Sequence, residues 1–368
     1  MSPTVSPTPR LVIVSLSTMC WGAEQSLLLL ATTARADVLV VCPRGELLDR
    51  AGATGLGTLA LDDPAVLRCA EVGSTVGPTR TGRVLLAGAA ALAHLPLWDR
   101  DAVVSFSQWL HLPLALAGRV RRRRVVLDLH DGPFTGAGSA VQSAATWTAT
   151  ASVAVSRTAL EHVRSWPPGR ATVVPRPVAL PELVDRPPHH TDGGPLRLAI
   201  VGRLDPEKRV DVALDAHEML LRAGVPAVLD VVGDGHRSDA DLAALRRQWP
   251  GAVFHGRLPH AQALSVVADA DLLLSTAVGE AFGRTVLEAA LLGVPSVVVG
   301  GGPAERVRDG VDGFVVPPDD PAALAALLTE LAADRDQVSL AGAAALETAG
   351  REASPSVVAA RWLEAVLP

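Results

Sequence analysis

Lysine is almost missing from this chain: Lys208 is the only one among 33 basic residues. Where arginine stands at every other basic position, a single lysine suggests a residue that is not a generic solvated charge. Cysteine is scarce too. Cys20, Cys42 and Cys69 are too few and too scattered for a disulfide framework or a zinc site, and fit a reducing compartment such as the cytoplasm. No apolar run approaches the length of a transmembrane helix. Arg10, the apolar stretch 11–19 and Ala34-Arg35-Ala36 imitate a secretory signal, but Trp21 and Glu24 interrupt it, and a first strand and helix of an α/β domain explain the same residues better. Positive charge is not in excess: a net charge of -6 gives no general attraction for nucleic acid. There is no short internal repeat.

What remains is a folded, apolar composition, 49% hydrophobic and 20% charged, in 368 residues, enough for two domains of ordinary size. Residues 1–10, rich in Ser, Thr and Pro, read as a disordered leader. From Leu11 the chain alternates short apolar runs with helical stretches. Strands are expected at 11–17, 38–42, 103–106, 125–129 and 153–155, with helices at 23–35, 80–97 and 157–166. A Pro- and Gly-rich interval over 175–195 reads as a linker. A second alternation follows, with strands at 196–201, 228–232, 253–255, 271–274, 296–299 and 314–316. The expected architecture is α/β, two facing Rossmann-like doubly wound domains over 11–183 and 184–353. An amphipathic helix over 354–368 would return to the first domain. Ligands of such sheets sit at the carboxyl ends of the strands.

One stretch stands out there. Gly279-Glu280-Ala281-Phe282-Gly283-Arg284-Thr285-Val286-Leu287-Glu288 runs from a buried strand through a glycine turn into a helix. Backbone N–H groups around Gly283, Arg284 and Thr285 can hold a phosphate. Glu280 and Glu288, eight residues apart, can each grip a pair of hydroxyls and would flank that phosphate on opposite sides. The plainer reading makes 285–288 a capping box and Glu280 a solvated loop residue.

Other strand ends carry chemistry. In Gly202-Arg203-Leu204-Asp205-Pro206-Glu207-Lys208, Arg203 offers a planar fork and Lys208 a point charge, a pair suited to two neighbouring phosphates. Val232-Gly233-Asp234-Gly235 puts glycines where backbone must approach backbone or ligand closely, and Gly300-Gly301-Gly302-Pro303-Ala304-Glu305 lines a pocket or simply makes a turn. In the first half, His130 stands just past a strand, as a site residue or a structural histidine. Gly22, in the turn after the first strand, would let a ligand lie against the first helix. The Arg119 to Arg124 cluster reads as a solvated helix end or as a patch for acidic lipid or a phosphorylated acceptor.

Taken together, Gly202-Arg203-Leu204 with Lys208, the 232–235 glycines, Glu280 with Phe282-Gly283 and Glu288, Gly301-Gly302 with Glu305, and Asp309-Gly310 with Gly313 come in the order and roughly the spacing of a known family. The chain resembles the retaining GT-B glycosyltransferases of the glycosyltransferase family 4 type, closely over 196–318 and more loosely elsewhere. The resemblance implies a nucleoside-diphosphate-sugar donor, UDP- or GDP-linked, bound mainly by the second domain, with the acceptor held by the first. Arg203 and Lys208 would neutralise the leaving diphosphate, and N–H groups near Arg284 and Thr285 would hold its oxygens. Glu280 would bind sugar hydroxyls, Phe282 and Gly283 would add backbone contacts, and Glu288 would bind the ribose. His130 would stand near the donor sugar, and Gly22, Gly202 and Gly235 would give the donor room. It also implies retention of anomeric configuration, with no cofactor. No metal is expected, since no Asp-x-Asp pair stands where a divalent ion would be expected and two basic side chains can neutralise the diphosphate.

The chain departs from the pattern in two places: the common Gly-Gly after the first strand is Gly22-Ala23, and the usual Pro-Asn-Gly after the first domain's last strand is Pro175-Arg176-Pro177, to which no contact carries over. The residues do not identify the acceptor; a small molecule or a lipid- or protein-linked group is expected, with peripheral membrane contact through Arg119 to Arg124 as one route. Two other functions fit the same motifs: a sugar-nucleotide-binding protein that transfers nothing, and a GT-B epimerase or pseudoglycosidic synthase.

Overall fold

The computed structural model describes residues 8–71, 78–134, 136–180, 194–235 and 239–368. It divides into two compact units, one made of residues up to Pro177 together with Pro355–Pro368, the other of Val178–Ser354. The expected leader lies outside the described residues up to residue 7, and Arg10 already belongs to the first strand. Of the linker expected over 175–195, residues 181–193, and with them the expected boundary at 183/184, also lie outside them.

The first unit runs β1 (Arg10–Val14), α1 (Gly22–Thr33), β2 (Asp37–Cys42), α2 (Glu46–Ala53), β3 (Gly57–Ala60), α3 (Pro64–Leu67), α4 (Pro78–His94), β4 (Ala102–Ser105), α5 (His111–Arg121), β5 (Val125–Leu129), α6 (Gly136–Thr148), β6 (Ala151–Ala154), α7 (Arg157–Glu161) and β7 (Ala171–Val173). Its strands form one parallel sheet in the order β3-β2-β1-β4-β5-β6-β7. The central strands read as unbroken apolar runs because helices cover both faces: Leu11, Val12, Ile13 and Val14 are all fully buried. Each such side chain contributes about 1.5–3 kcal/mol on transfer from water. The two strands that sequence patterning misses, β3 and β7, lie at the sheet edges and are only partly buried, so no apolar run marks them. The helix expected over 157–166 ends at Glu161.

The second unit runs β8 (Leu196–Val201), α8 (Val210–Arg222), β9 (Ala227–Val232), α9 (Asp239–Gln248), β10 (Val253–Gly256), α10 (His260–Ala268), β11 (Leu272–Ser275), α11 (Arg284–Leu291), β12 (Ser296–Val298), α12 (Gly301–Ala304), β13 (Gly313–Val315), α13 (Pro321–Ala333) and α14 (Arg335–Glu352). Its parallel sheet has the order β10-β9-β8-β11-β12-β13, so the chain direction across the sheet reverses between β8 and β11.

The last helix, α15 (Pro355–Val366), belongs to the first unit. It packs on α1 and places fully buried Trp362, with Val358, Ala359 and Val366, in the core that holds Leu11, Ile13, Leu27 and Leu30. Arg124 closes its end, donating from Nε to the Val366 carbonyl at 2.7 Å and from Nη2 to that of Ala365 at 3.4 Å. These are terminal carbonyls that no helical N–H reaches.

Candidate active site

The switch point of the second sheet is where a doubly wound fold opens a crevice at its strand ends. The loop after β8 carries Gly202 to Lys208, and the loop after β11 carries Glu280 to Gly283. Two contacts tie these loops together. The buried Thr276 donates from Oγ1 to the Lys208 carbonyl at 3.0 Å, and Lys208 Nζ ion-pairs with Glu280 Oε2. The sole lysine therefore meets the motif carboxylate across the switch point, with both side chains about three-quarters buried.

Glu280 is held from a second side by the backbone N–H groups of Phe282 and Gly283. Burial pulls its pKa up, but Lys208 and those N–H groups outweigh it and keep the carboxyl below its ordinary value. It is an ionised group at the start of α11, where the N–H groups of a helix N-terminus favour an anion. Gly283, not Thr285, is the N-cap of that helix, in the left-handed conformation at φ 73°. The capping-box reading of 285–288 fails because Arg284 and Thr285 are already helical.

The loop is packed by backbone. A Cβ on Gly302 would lie 1.9 Å from the Ala281 carbonyl oxygen, and the Gly302 N–H donates to the Glu280 carbonyl at 2.8 Å. The 301–302 glycines thus let α12 close against the Glu280 turn. Phe282 is buried with the Arg306 guanidinium 4.1 Å over its ring. Burial pushes Arg306 down to about 10, against Glu305 and Glu352. On the 233–235 glycines, a Cβ on Gly233 would sit 1.8 Å from the Gly202 carbonyl oxygen, and one on Gly235 2.7 Å from Asp205 Oδ1. These glycines answer a close approach of loop to loop.

Arg203 is 44% exposed and pairs with Asp205 at 2.6 Å and Glu207 at 3.4 Å. Glu288 is buried inside α11, where its Oε1 accepts from Arg284 Nε at 2.8 Å and faces His260 Nε2 at 2.9 Å.

Two site candidates lie in the first unit. Gly22 is the first residue of α1, where Glu24 accepts from the Trp21 N–H at 3.1 Å. His130 follows β5 at the carboxyl edge. Its ring stacks on Phe106 with centroids 4.1 Å apart, and Nδ1–H donates to Asp128 Oδ1 at 2.9 Å. The same oxygen is paired with Arg176, which is buried and lies 5.6 Å from the Phe106 ring. Burial disfavours the charged form of His130, yet Asp131 and Asp128 outweigh it and raise its pKa. Asp128 is moved up by burial and further down by Arg176 and His130, so it is ionised.

Sequence reasoning missed Asp128, Arg176, Thr276, His260 and Arg306. A carboxylate inside the apolar run of β5 was the available signal, because a buried charge needs a partner. Arg119 to Arg124 do not act as one patch: Arg121 donates to the Ala93 carbonyl at 2.5 Å and Arg124 to the end of α15, while Arg119 donates to the Thr148 carbonyl at 2.9 Å.

Two parallel-sheet, Rossmann-like units of this kind define the GT-B fold. Solved structures of similar fold are Anabaena Alr3699/HepE in complex with UDP-glucose (TM-score 0.76, 19% identity, 96% of this chain and 98% of that one) and sucrose-phosphate synthase from Thermosynechococcus elongatus (0.73, 16%, 97% and 98%). Residues 195–334, which contain the Lys208–Glu280 pair, match the sequence model of the glycosyl transferases group 1 family. Over 144 residues the chain is 35% identical to glycogen synthase of Mycobacterium tuberculosis, 38% of this chain and 35% of that protein. The match thus spans about a third of the curated relative.

Proposed function

We propose that this protein is a glycosyltransferase that moves a sugar from a nucleoside-diphosphate donor to an acceptor hydroxyl with retention of configuration. The observation that carries it is the Lys208–Glu280 pair across the β8/β11 switch point, inside the stretch that matches the group 1 family. UDP-glucose in the similar Anabaena structure supports a UDP-linked donor, with GDP as the other candidate. Three buried free cysteines fit the reducing cytoplasm.

In this reading the diphosphate takes Lys208 over from Glu280 and meets Arg203, with the start of α11 supplying backbone N–H groups. As the bond from anomeric carbon to phosphate oxygen breaks, its electron pair leaves with the diphosphate. These fixed positive groups stabilise that growing charge. The acceptor oxygen bonds to the anomeric carbon on the same face, and its proton passes to a phosphate oxygen. Glu280, freed from Lys208, binds sugar hydroxyls, Glu288 the ribose, and His130 the donor sugar. Phe282 and Gly283 contribute backbone, and Gly22, Gly202 and Gly235 room. Two cations at the diphosphate make a divalent ion unnecessary.

The test is calorimetric binding of UDP, GDP, dTDP and ADP to the full chain, with and without chelator, followed by hydrolysis of the sugar donor of whichever binds. Chelator-insensitive binding of one nucleotide with slow release of sugar is expected. Failure of all four to bind overturns the proposal, and binding without sugar release or transfer favours a non-catalytic binding protein.

A further inference from the structure

The first unit has a cavity of about 300 Å³ at the edge of its sheet opposite His130, lined by Ala115, Arg119, Arg123, Val125, Thr148, Ala149, Thr150 and Arg170. Val125 opens β5, Thr150 precedes β6 and Arg170 precedes β7, so the cavity sits at the amino ends of the strands. Four strand steps, about 13 Å, separate Val125 from Leu129 at the other end of β5. Nothing proposed for the donor reaction uses this edge.

The cavity has an apolar floor, where Ala115, Val125 and Ala149 are buried, under three exposed arginines, and no carboxylate lines it. Helix ends offer the plain explanation for basic residues here, since α5 and α6 both finish beside it. At each of these ends two terminal carbonyls already have donors. The end of α5 is closed by backbone, the N–H groups of Arg122 and Arg123 reaching the Arg119 and Gly118 carbonyls. That of α6 is closed by Arg119, from Nε to Thr148 and from Nη2 to the Trp147 carbonyl at 3.5 Å. Two helix ends carry together about one negative charge, against three guanidinium charges. The guanidinium groups of Arg123 and Arg170 have no hydrogen bond or ion pair among the described residues. Thr150 Oγ1 accepts from the Val125 N–H at 3.2 Å, which leaves its own O–H as a donor.

We infer that this cavity is a second binding site, for a phosphate group, in which the Arg123 and Arg170 forks and the Thr150 hydroxyl hold the oxygens. Planar guanidinium pairs match phosphate geometry, and the volume is at the small end of ligand pockets. The phosphate belongs either to a small soluble molecule or to a lipid headgroup. Of the 119–124 run only Arg119 and Arg123 take part, joined by Arg170 from beyond α7.

The probe is inorganic pyrophosphate, titrated calorimetrically into the full chain at low salt, with Arg123→Gln, Arg170→Gln, their double variant, and Arg122→Gln, whose side chain does not line the cavity, as control. The expected result is binding that weakens about tenfold in each single variant and more in the double, unchanged in Arg122→Gln and retained in Lys208→Met, which separates it from the donor site. Equal weakening by Arg122→Gln, no effect of the double variant, or loss confined to Lys208→Met overturns it. Sedimentation with phosphatidylglycerol vesicles, abolished in the double variant, identifies a lipid source; pyrophosphate binding without sedimentation identifies a soluble one.

Discussion

Asp128 and Arg176, 48 residues apart, form a buried ion pair behind His130, and the carboxylate oxygen that accepts from Arg176 also accepts from His130 Nδ1–H. The imidazole is therefore fixed by its bond to Asp128 and by the stacked Phe106 ring, and Arg176 acts on it through both. Removing one partner of such a pair leaves a charge buried without compensation, at a cost of about 3–5 kcal/mol. Arg176→Met is expected to lower stability by that amount in urea unfolding, and Asp128→Asn by less, because the amide still accepts from His130. Loss of under about 1 kcal/mol in Arg176→Met would show that the pair holds nothing in place.

Acid should also act on this cluster. His111 is fully buried beside Ser105 Oγ at 2.8 Å, and burial, with the neighbouring charge of His130, pushes its pKa down to about 3 despite Asp128. The unfolded chain binds a proton near the ordinary histidine value of about 6.5. Between those values the unfolded state holds one more proton than the folded state, so stability is complete above about pH 6.5 and falls as the pH drops towards 3. The slope from this group is about 1.4 kcal/mol per pH unit. Chemical unfolding from pH 7 to 4 should show it, and His111→Gln should flatten the curve by one proton. An unchanged slope would mean that His111 charges inside the fold.

Lys208→Met and Glu280→Gln test the switch-point pair. Each should lower turnover of a sugar-nucleotide donor by about 10²–10³, with Lys208→Met also weakening nucleoside-diphosphate binding and Glu280→Gln leaving it nearly intact. Wild-type rates in both variants would remove the basis of the transferase reading.

How much of this was legible in the sequence follows the physics of each element. Strands β8, β9 and β11 to β13 announced themselves as apolar runs, the half-exposed edge strand β10 only through Val253-Phe254, and the Glu280 turn was visible because glycines and carboxylates stood at strand ends. Edge strands β3 and β7 were silent because half-exposed residues carry no apolar period. Thr285 to Glu288 imitated a capping box, but Gly283 took the left-handed cap position and drew the helix start two residues earlier. Arg176 sat in a proline-flanked stretch read as linker, and no local pattern could reveal a partner 48 residues upstream. Arg306 was equally hidden, since its contact is the face of Phe282.

The last helix offers a test of how the first unit is held together. Trp362 is fully buried among residues of α1 and the sheet core, and Arg124 binds the carbonyls at the end of α15 from the start of β5. Trp362→Ala removes a large side chain from a closed core, for an expected loss of about 3–5 kcal/mol. Arg124→Gln leaves two terminal carbonyls without their donor and should cost about 1–3 kcal/mol. The two side chains act on the same helix, so their effects should fall short of additive once α15 has detached. The measurement is denaturant unfolding of the single and double variants, with hydrogen exchange read on α15. Protection of α15 that survives Trp362→Ala would mean that the helix is anchored by some other contact than the one described.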